Sequence, residues 1–489
     1  VAPAHHGRRI CVTGQGVAAQ YEGKRAAGLA SALSGALTGG AMNLQATVPR
    51  WFSERCLLLL LLVTLLAMTA GCAGNRTHFN QLALIGQASE QERRELTLPF
   101  DAYIVGIEKD NASRVGSLAD CPGAAGGDCL AIDAPYLRER PDLRDALHGK
   151  YAGQHRPTYV SHIARFGPDG QVCFLYNIYA TTDACAPLAL PAAPEERLVT
   201  RSWRAMSTLG RDLERLAGER KFSHVIVYTM GWNTYQPEAL RNIRDLATRL
   251  REAAAGDPAF RPLVLGVTWP STGDPTIPMA DFGIKAKDAD EVGAVWENIL
   301  LNRELRRIKA TSGFRLVVVG HSFGARAATR AVFSAPLVTA APTPVVDLLV
   351  SLQGAYSYQR YLATDAGDAE GREGAPYRDF ATLAGPVVLT ASRHDTAVLQ
   401  ARHARYFVGS HVAFDEAGRG PHAARFLQTA TADDGRVPAL ACAPQRVMWI
   451  DASSVIKGNQ PGTGGGAHSV VYTPEIGRLV YQLIRTCAS

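Results

Sequence analysis

Residues 317–328 read VVVGHSFGARAA: an apolar run, then Gly320-His321-Ser322-Phe323-Gly324, then a run of small residues. The first part predicts a buried strand over Arg315–Gly320, and the last part a helix over Ala325–Phe333. A serine flanked by glycines at a strand-to-helix junction is the pattern of a nucleophile elbow. There the serine sits on a strained turn, and side chains at the flanking positions would collide. A structural turn explains the glycines but not the serine. Five residues of this kind also occur by chance, so the rest of the chain must supply a base, an acid and an oxyanion site.

Around this junction short β-branched runs alternate with helical patterns. His224–Thr229 (HVIVYT) precedes a helix over Pro237–Ala254, and Leu263–Trp269 (LVLGVTW) precedes a polar loop and a helix near Asp288–Ala310. Val345–Leu352, Val387–Ser392 and Val447–Asp451 continue the series of strands. Continuous apolar strands alternating with helices predict an α/β fold whose sheet is mostly parallel and covered on both faces. Upstream, Phe100–Ile107 reads as a strand, and Tyr159–Arg165 and Gln171–Tyr179 flank the turn GPDG as a hairpin. Residues 72–200 are therefore expected to form an N-terminal extension of antiparallel edge strands, and residues 201–489 the main domain.

With these elements in place, the chain resembles the α/β-hydrolases. More narrowly, it is similar to bacterial hydrolase-like families of uncertain function that carry an HGWN-like turn, a WPS segment and a GHSxG elbow. The counterparts here are Met230-Gly231-Trp232-Asn233, Trp269-Pro270-Ser271 and the elbow, and the likeness spans about residues 220–485. Met230 stands where those families often have histidine. The resemblance implies a triad in the chain order serine, acid, histidine. Asp395, just beyond the Val387–Ser392 strand, is the expected acid, with Asp451 as its rival at the end of the next strand. His468, in the glycine-rich stretch GTGGGAHSV after the last strand, is the expected base. Gly462, Gly464, Gly465 and Gly466 would let that loop reach Ser322, and no Lys-Ser/Thr follows to make it a phosphate loop.

In such a triad the histidine takes the serine proton, and the acid fixes its tautomer and stabilises the imidazolium. The oxyanion needs two backbone N–H groups, expected from Phe323 and from the Gly231-Trp232 turn. Met230, Trp232, Tyr235, Trp269 and Phe282 are candidates for lining a substrate pocket, with Ser271–Lys287 as a loop over it. The expected activity is ester hydrolysis of the carboxylesterase or lipase kind, with no cofactor. The rival reading is an interaction module of the cell envelope built on the same fold with little turnover.

The N-terminal region bears on location. Leu57–Met68 is an apolar run of twelve residues after Arg50 and Arg55, followed by Thr69-Ala70-Gly71-Cys72. That is the layout of a signal peptide, too short to span a membrane, which takes roughly 20 apolar residues. Ala70-Gly71-Cys72 also resembles a bacterial lipobox, with Thr69 where leucine is usual. It implies a diacylated Cys72 as a membrane anchor, and Ala73 after it resembles the outer-membrane sorting pattern. Residues 42–71 then form the signal peptide and residues 1–41 upstream translation. A Gly14-Gln15-Gly16 run in that stretch imitates a dinucleotide fingerprint without its βαβ context.

The formal charge is +6, and removing residues 1–71 leaves +2, which gives no footing for nucleic acid. Six cysteines remain after Cys72: Cys121, Cys129, Cys173, Cys185, Cys442 and Cys487. An even number in an exported chain predicts disulfides, and proximity favours Cys121–Cys129, Cys173–Cys185 and Cys442–Cys487. No Cys/His spacing matches a zinc site.

Overall fold

A computed structural model of the protein describes residues 98, 101–118, 156–167, 171–179, 184–185, 188–190, 195–272, 282–339, 342–362, 376–377, 380–397, 404–438, 440, 442–444, 446–458 and 466–488. They lie in one compact unit, Gly71–Ser489. The signal-like segment, Cys72, Cys121, Cys129, Gly462, Gly464 and Gly465 fall outside the described residues.

Ten strands form one sheet: β1 (Ala102–Lys109), β2 (Thr158–Phe166), β3 (Val172–Asn177), β4 (His224–Thr229), β5 (Pro262–Thr268), β6 (Arg315–His321), β7 (Leu348–Leu352), β8 (Val387–Ala391), β9 (Phe426–Ala430) and β10 (Val447–Asp451). Their order is β3-β2-β1-β5-β4-β6-β7-β8-β10-β9. From β1 through β9 every neighbour is parallel, and only β2 and β3 run against their partners. The hairpin therefore supplies the antiparallel edge, while β1 joins the parallel set beside β5.

Strands β4, β5, β7 and β8 are buried at every residue, as their unbroken apolar runs require of a sheet covered on both faces. Helices α1 (Leu198–Gly218), α2 (Gln236–Ala253), α3 (Phe282–Val292), α4 (Arg306–Ser312), α5 (Phe323–Val332), α6 (His411–Arg419) and α7 (Pro474–Cys487) provide the cover. Helix α5 packs on β4, β6 and β7, and also on α3, while α2 and α7 pack on each other. Between α3 and α4 the helix continues through two π-helical turns, Gly293–Glu297 and Leu300–Leu305.

Two differences from the sequence reading have clear causes. The span Ser271–Lys287 is not all loop, because α3 begins at Phe282 and buries Lys285 on Pro270 O and Asp288. Helix α1 runs across residues 200 and 201, where the change of rhythm placed a boundary, and docks on β2. Disulfides join Cys173 to Cys185 and Cys442 to Cys487. The second ties the end of α7 to the segment before β10. Among the described residues no helix is long and apolar enough to cross a membrane.

Candidate active site

The chain winds from β4 outward to β5 and then crosses back past β4 to β6. Such a reversal opens a crevice at the carboxyl ends of the strands, the usual place for a ligand in a parallel sheet. Ser322 stands at this point, between the last residue of β6 and the first of α5, with φ 56° and ψ −124°. A non-glycine residue held at positive φ is strained and needs support from its surroundings. Support comes from backbone bonds: Ser322 N–H donates to Leu352 O at 3.1 Å, and Ser322 O accepts from Ala325 N and Ala355 N at 3.1 Å each and from Arg326 N at 3.4 Å. Gly324 is required for space, since a Cβ there would meet the carbonyl oxygens of Thr229 and Met230. Gly231 lies against the elbow itself: a Cβ on it would sit 3.2 Å from Ser322 Cβ.

Asp395 and His468 meet. His468 Nδ1 is 2.7 Å from Asp395 Oδ2, with the carboxylate fully buried. Because that oxygen accepts, the bond places the ring proton on Nδ1 and leaves Nε2 with its lone pair. Asp395 Oδ2 also accepts from Gln353 Nε2 at 2.8 Å, and Oδ1 accepts from the Ala397 N–H at 3.0 Å. Gly466 pairs with Asp395 as a short antiparallel bridge, and the Ala467 N–H donates to His394 O at 2.9 Å, so the segment bearing His468 is laced to the one bearing Asp395. Asp451 is engaged elsewhere, with Ser453 N at 2.9 Å and His411 Nε2 at 3.2 Å.

The fold is that of an α/β-hydrolase. The strand reversal beside β4 and the strained serine between β6 and α5 are the parts that mark it.

Within this hydrolase fold His321 and the β4 turn complete the surroundings of Ser322. His321 Nε2 lies 3.0 Å from His468 O, and the two imidazoles stand 4.9 Å apart. Burial, with His468 close by, pushes the His321 pKa down to about 3. The turn Met230-Gly231-Trp232 is braced from below. Trp269 donates its indole N–H to Met230 O at 2.8 Å, and both side chains are fully buried. Thr229 Oγ1, one residue earlier, donates to Glu297 Oε1 at 2.8 Å. Beside the elbow, Trp232 and Phe282 are half-buried and pack with Phe323, at ring separations of 5.5 Å for Trp232–Phe282 and 4.8 Å for Phe282–Phe323. Phe407 also stacks on Phe282, at 6.2 Å. Tyr235 is 40% exposed, just ahead of α2. Among the described residues no three His, Cys, Asp or Glu side chains gather as a metal site.

Sequence reasoning did not single out Gln353, His321 or Glu297. Gln353 has one faint signal, a polar residue followed by glycine at the carboxyl end of a buried strand; its φ of 46° marks the same tight exit from β7. His321 was in view inside the elbow but had no visible partner, because His468 is distant along the chain. Glu297 reads as an ordinary helical glutamate.

No protein-family model matches the chain, and no curated protein matches it. Among solved structures it is similar to a Trichoderma reesei cutinase in complex with a phosphonate inhibitor, at 15% identity and a TM-score of 0.17 over 31% of this chain and 64% of that one. It is also similar to a Pyrococcus horikoshii acylaminoacyl peptidase, at 12% identity and a TM-score of 0.25 over 55% of this chain and 38% of that one. The chain thus spans less than two thirds of either neighbour. The fold assignment stands on the strand order and the elbow.

Proposed function

We propose that the protein is a serine hydrolase that cleaves carboxylic esters through Ser322, His468 and Asp395. The observation that carries this reading is the convergence at the carboxyl end of β6. A serine held at positive φ adjoins His321, which contacts His468, whose ring is oriented by a buried carboxylate. A binding module has no need of a fixed histidine tautomer beside a strained serine, and this favours turnover over the interaction-module reading.

The chemistry follows from the donor and acceptor inventory. Nε2 of His468 takes the Ser322 proton as Oγ attacks the acyl carbon, and the imidazolium is stabilised by Asp395. The backbone N–H groups of Phe323 and Trp232, with Gly231 leaving the approach open, receive the developing oxyanion. Return of the proton to the leaving alkoxide releases the alcohol and leaves an acyl-serine, which water hydrolyses by the same relay. Trp232 and Phe282 are the half-buried aromatics placed to meet an acyl group, with Met230 and Trp269 behind them. The substrate class is a small-molecule or lipid ester.

The protein is proposed to be exported and anchored to the membrane through a lipid on Cys72. The two disulfides among the described residues fit an oxidising compartment. Hydrolysis of a series of short- and long-chain acyl esters tests the function. Ser322→Ala and His468→Ala should each lower kcat by about 10⁴-fold or more. Turnover that survives both substitutions would remove the serine-hydrolase reading.

A further inference from the structure

We infer that His321 is a positioning residue that sets the spacing between nucleophile and base, by holding the main chain of His468 against the strand that carries Ser322. The inference rests on the triad reading above. The geometry is specific. His321 is the last residue of β6 and is covalently joined to Ser322. Its Nε2 lies 3.0 Å from the carbonyl oxygen of His468. A carbonyl only accepts, so Nε2 carries the proton and Nδ1 the lone pair. On the other side a Cβ at Gly231 would come within 3.1 Å of Nδ1. The ring is therefore wedged between the oxyanion turn and the base segment, with the Tyr472 ring edge-on at 6.1 Å.

Asp395 holds His468 through Nδ1, a single hydrogen bond about which the imidazole can still swing. The segment leading into His468, GTGGGA, consists largely of glycine and has little conformational preference of its own. The bonds of Gly466 and Ala467 tie this segment to the one that bears Asp395, and the bond from His321 to the His468 carbonyl ties it to the strand that bears Ser322. The His321 bond thus joins the base to the residue next to the nucleophile, so the spacing between them does not depend on the loop. The hold also adds no competing charge, since burial keeps His321 neutral while His468 becomes an imidazolium.

Two polar substitutions separate this role from packing. In His321→Gln the amide nitrogen reaches the place of Nε2, whereas in His321→Asn it falls short by about one bond. Steady-state kinetics on a soluble ester should show kcat for His321→Asn reduced about 100-fold with KM nearly unchanged, the scale of loss for a misplaced reacting group. His321→Gln should recover most of that loss. In a His468→Ala background, His321→Asn should cost little further activity, because the residue it positions is gone. Equal kcat for the Asn and Gln variants, an undiminished kcat in His321→Asn, or an equal loss in the His468→Ala background would overturn the inference. So would failure of both variants to fold, which would assign the ring to core packing. Ser322→Ala, measured in parallel, keeps the two claims apart. If it retains turnover, the triad reading falls; if it is inactive while His321→Asn behaves as wild type, only the positioning role falls.

Discussion

Glu297 gives a quantitative test of how the buried layer behind the site is built. It lies on the π-helical turn Gly293–Glu297, 1% exposed, with Oε1 accepting from Thr229 and Oε2 buried without a hydrogen-bond partner. Burial raises its pKa from 4.5 to about 8, against a smaller opposing pull from the Thr229 hydroxyl. The unfolded chain loses this proton near pH 4.5, and the folded chain keeps it until about pH 8. Between those limits the native state binds the extra proton, so stability falls as pH rises. At about 1.36 kcal/mol per pH unit, the loss accumulated from pH 4.5 to pH 7 is roughly 3 kcal/mol. Glu297→Gln keeps an acceptor for Thr229 and cannot ionise. Its buried amide carries a pH-independent desolvation cost, so the slope of stability against pH is the informative quantity, not its absolute value. Urea unfolding of both proteins from pH 4.5 to 8, with disulfides intact, should show the variant gaining on the wild type by about 3 kcal/mol by pH 7. Parallel curves would refute the reasoning, because they would mean that the carboxyl titrates alike in both states.

Three further outcomes follow from the packing around the site. Asp395→Asn should lower kcat about 10⁴-fold by unsettling the His468 tautomer, while Asp451→Asn, whose carboxylate serves Ser453 and His411, should change kcat by no more than about threefold in the same ester assay. Gly324→Ala should destabilise by about 1–3 kcal/mol or prevent folding, since its Cβ meets the Thr229 and Met230 carbonyls; thermal unfolding measures it. Removing the Cys442–Cys487 bond, which closes a separation of 45 residues, should cost about 4 kcal/mol by chain entropy, against about 3 kcal/mol for the 12-residue separation of Cys173–Cys185. Single Cys-to-Ala pairs compared in urea report both.

Much of the fold could be read because its strands are buried on both faces. HVIVYT and VMWID have the bounds read from their apolar runs, and the other strands of the parallel core differ by at most a few residues. Helix α1 was harder to see: Val199, Trp203, Met206, Leu209 and Leu213 carry a helical spacing, but buried Arg201, Ser202, Thr208 and Asp212 dilute it. Strand β9 is a five-residue edge containing Gln428 and Thr429, which leaves it no continuous apolar run. The π turns beside Glu297 have no composition of their own and arise where the helix packs on α5. At the site, Asp395 could be picked out because it follows β8 closely, and His468 because it is the histidine between β10 and α7; the two meet in one bond. Gln353 and His321 escaped notice because their roles consist of contacts with segments far along the chain: Gln353 with Asp395, His321 with His468. Sequence spacing carries no trace of such contacts.

The central claim is that Ser322 is an activated nucleophile. Treatment of the protein with a fluorophosphonate, followed by peptide mass mapping, tests it most directly. A single phosphonyl adduct is expected on the peptide containing Ser322, absent in Ser322→Ala and formed far more slowly in His468→Ala. An adduct on another residue, or equal labelling of all three proteins, would contradict it.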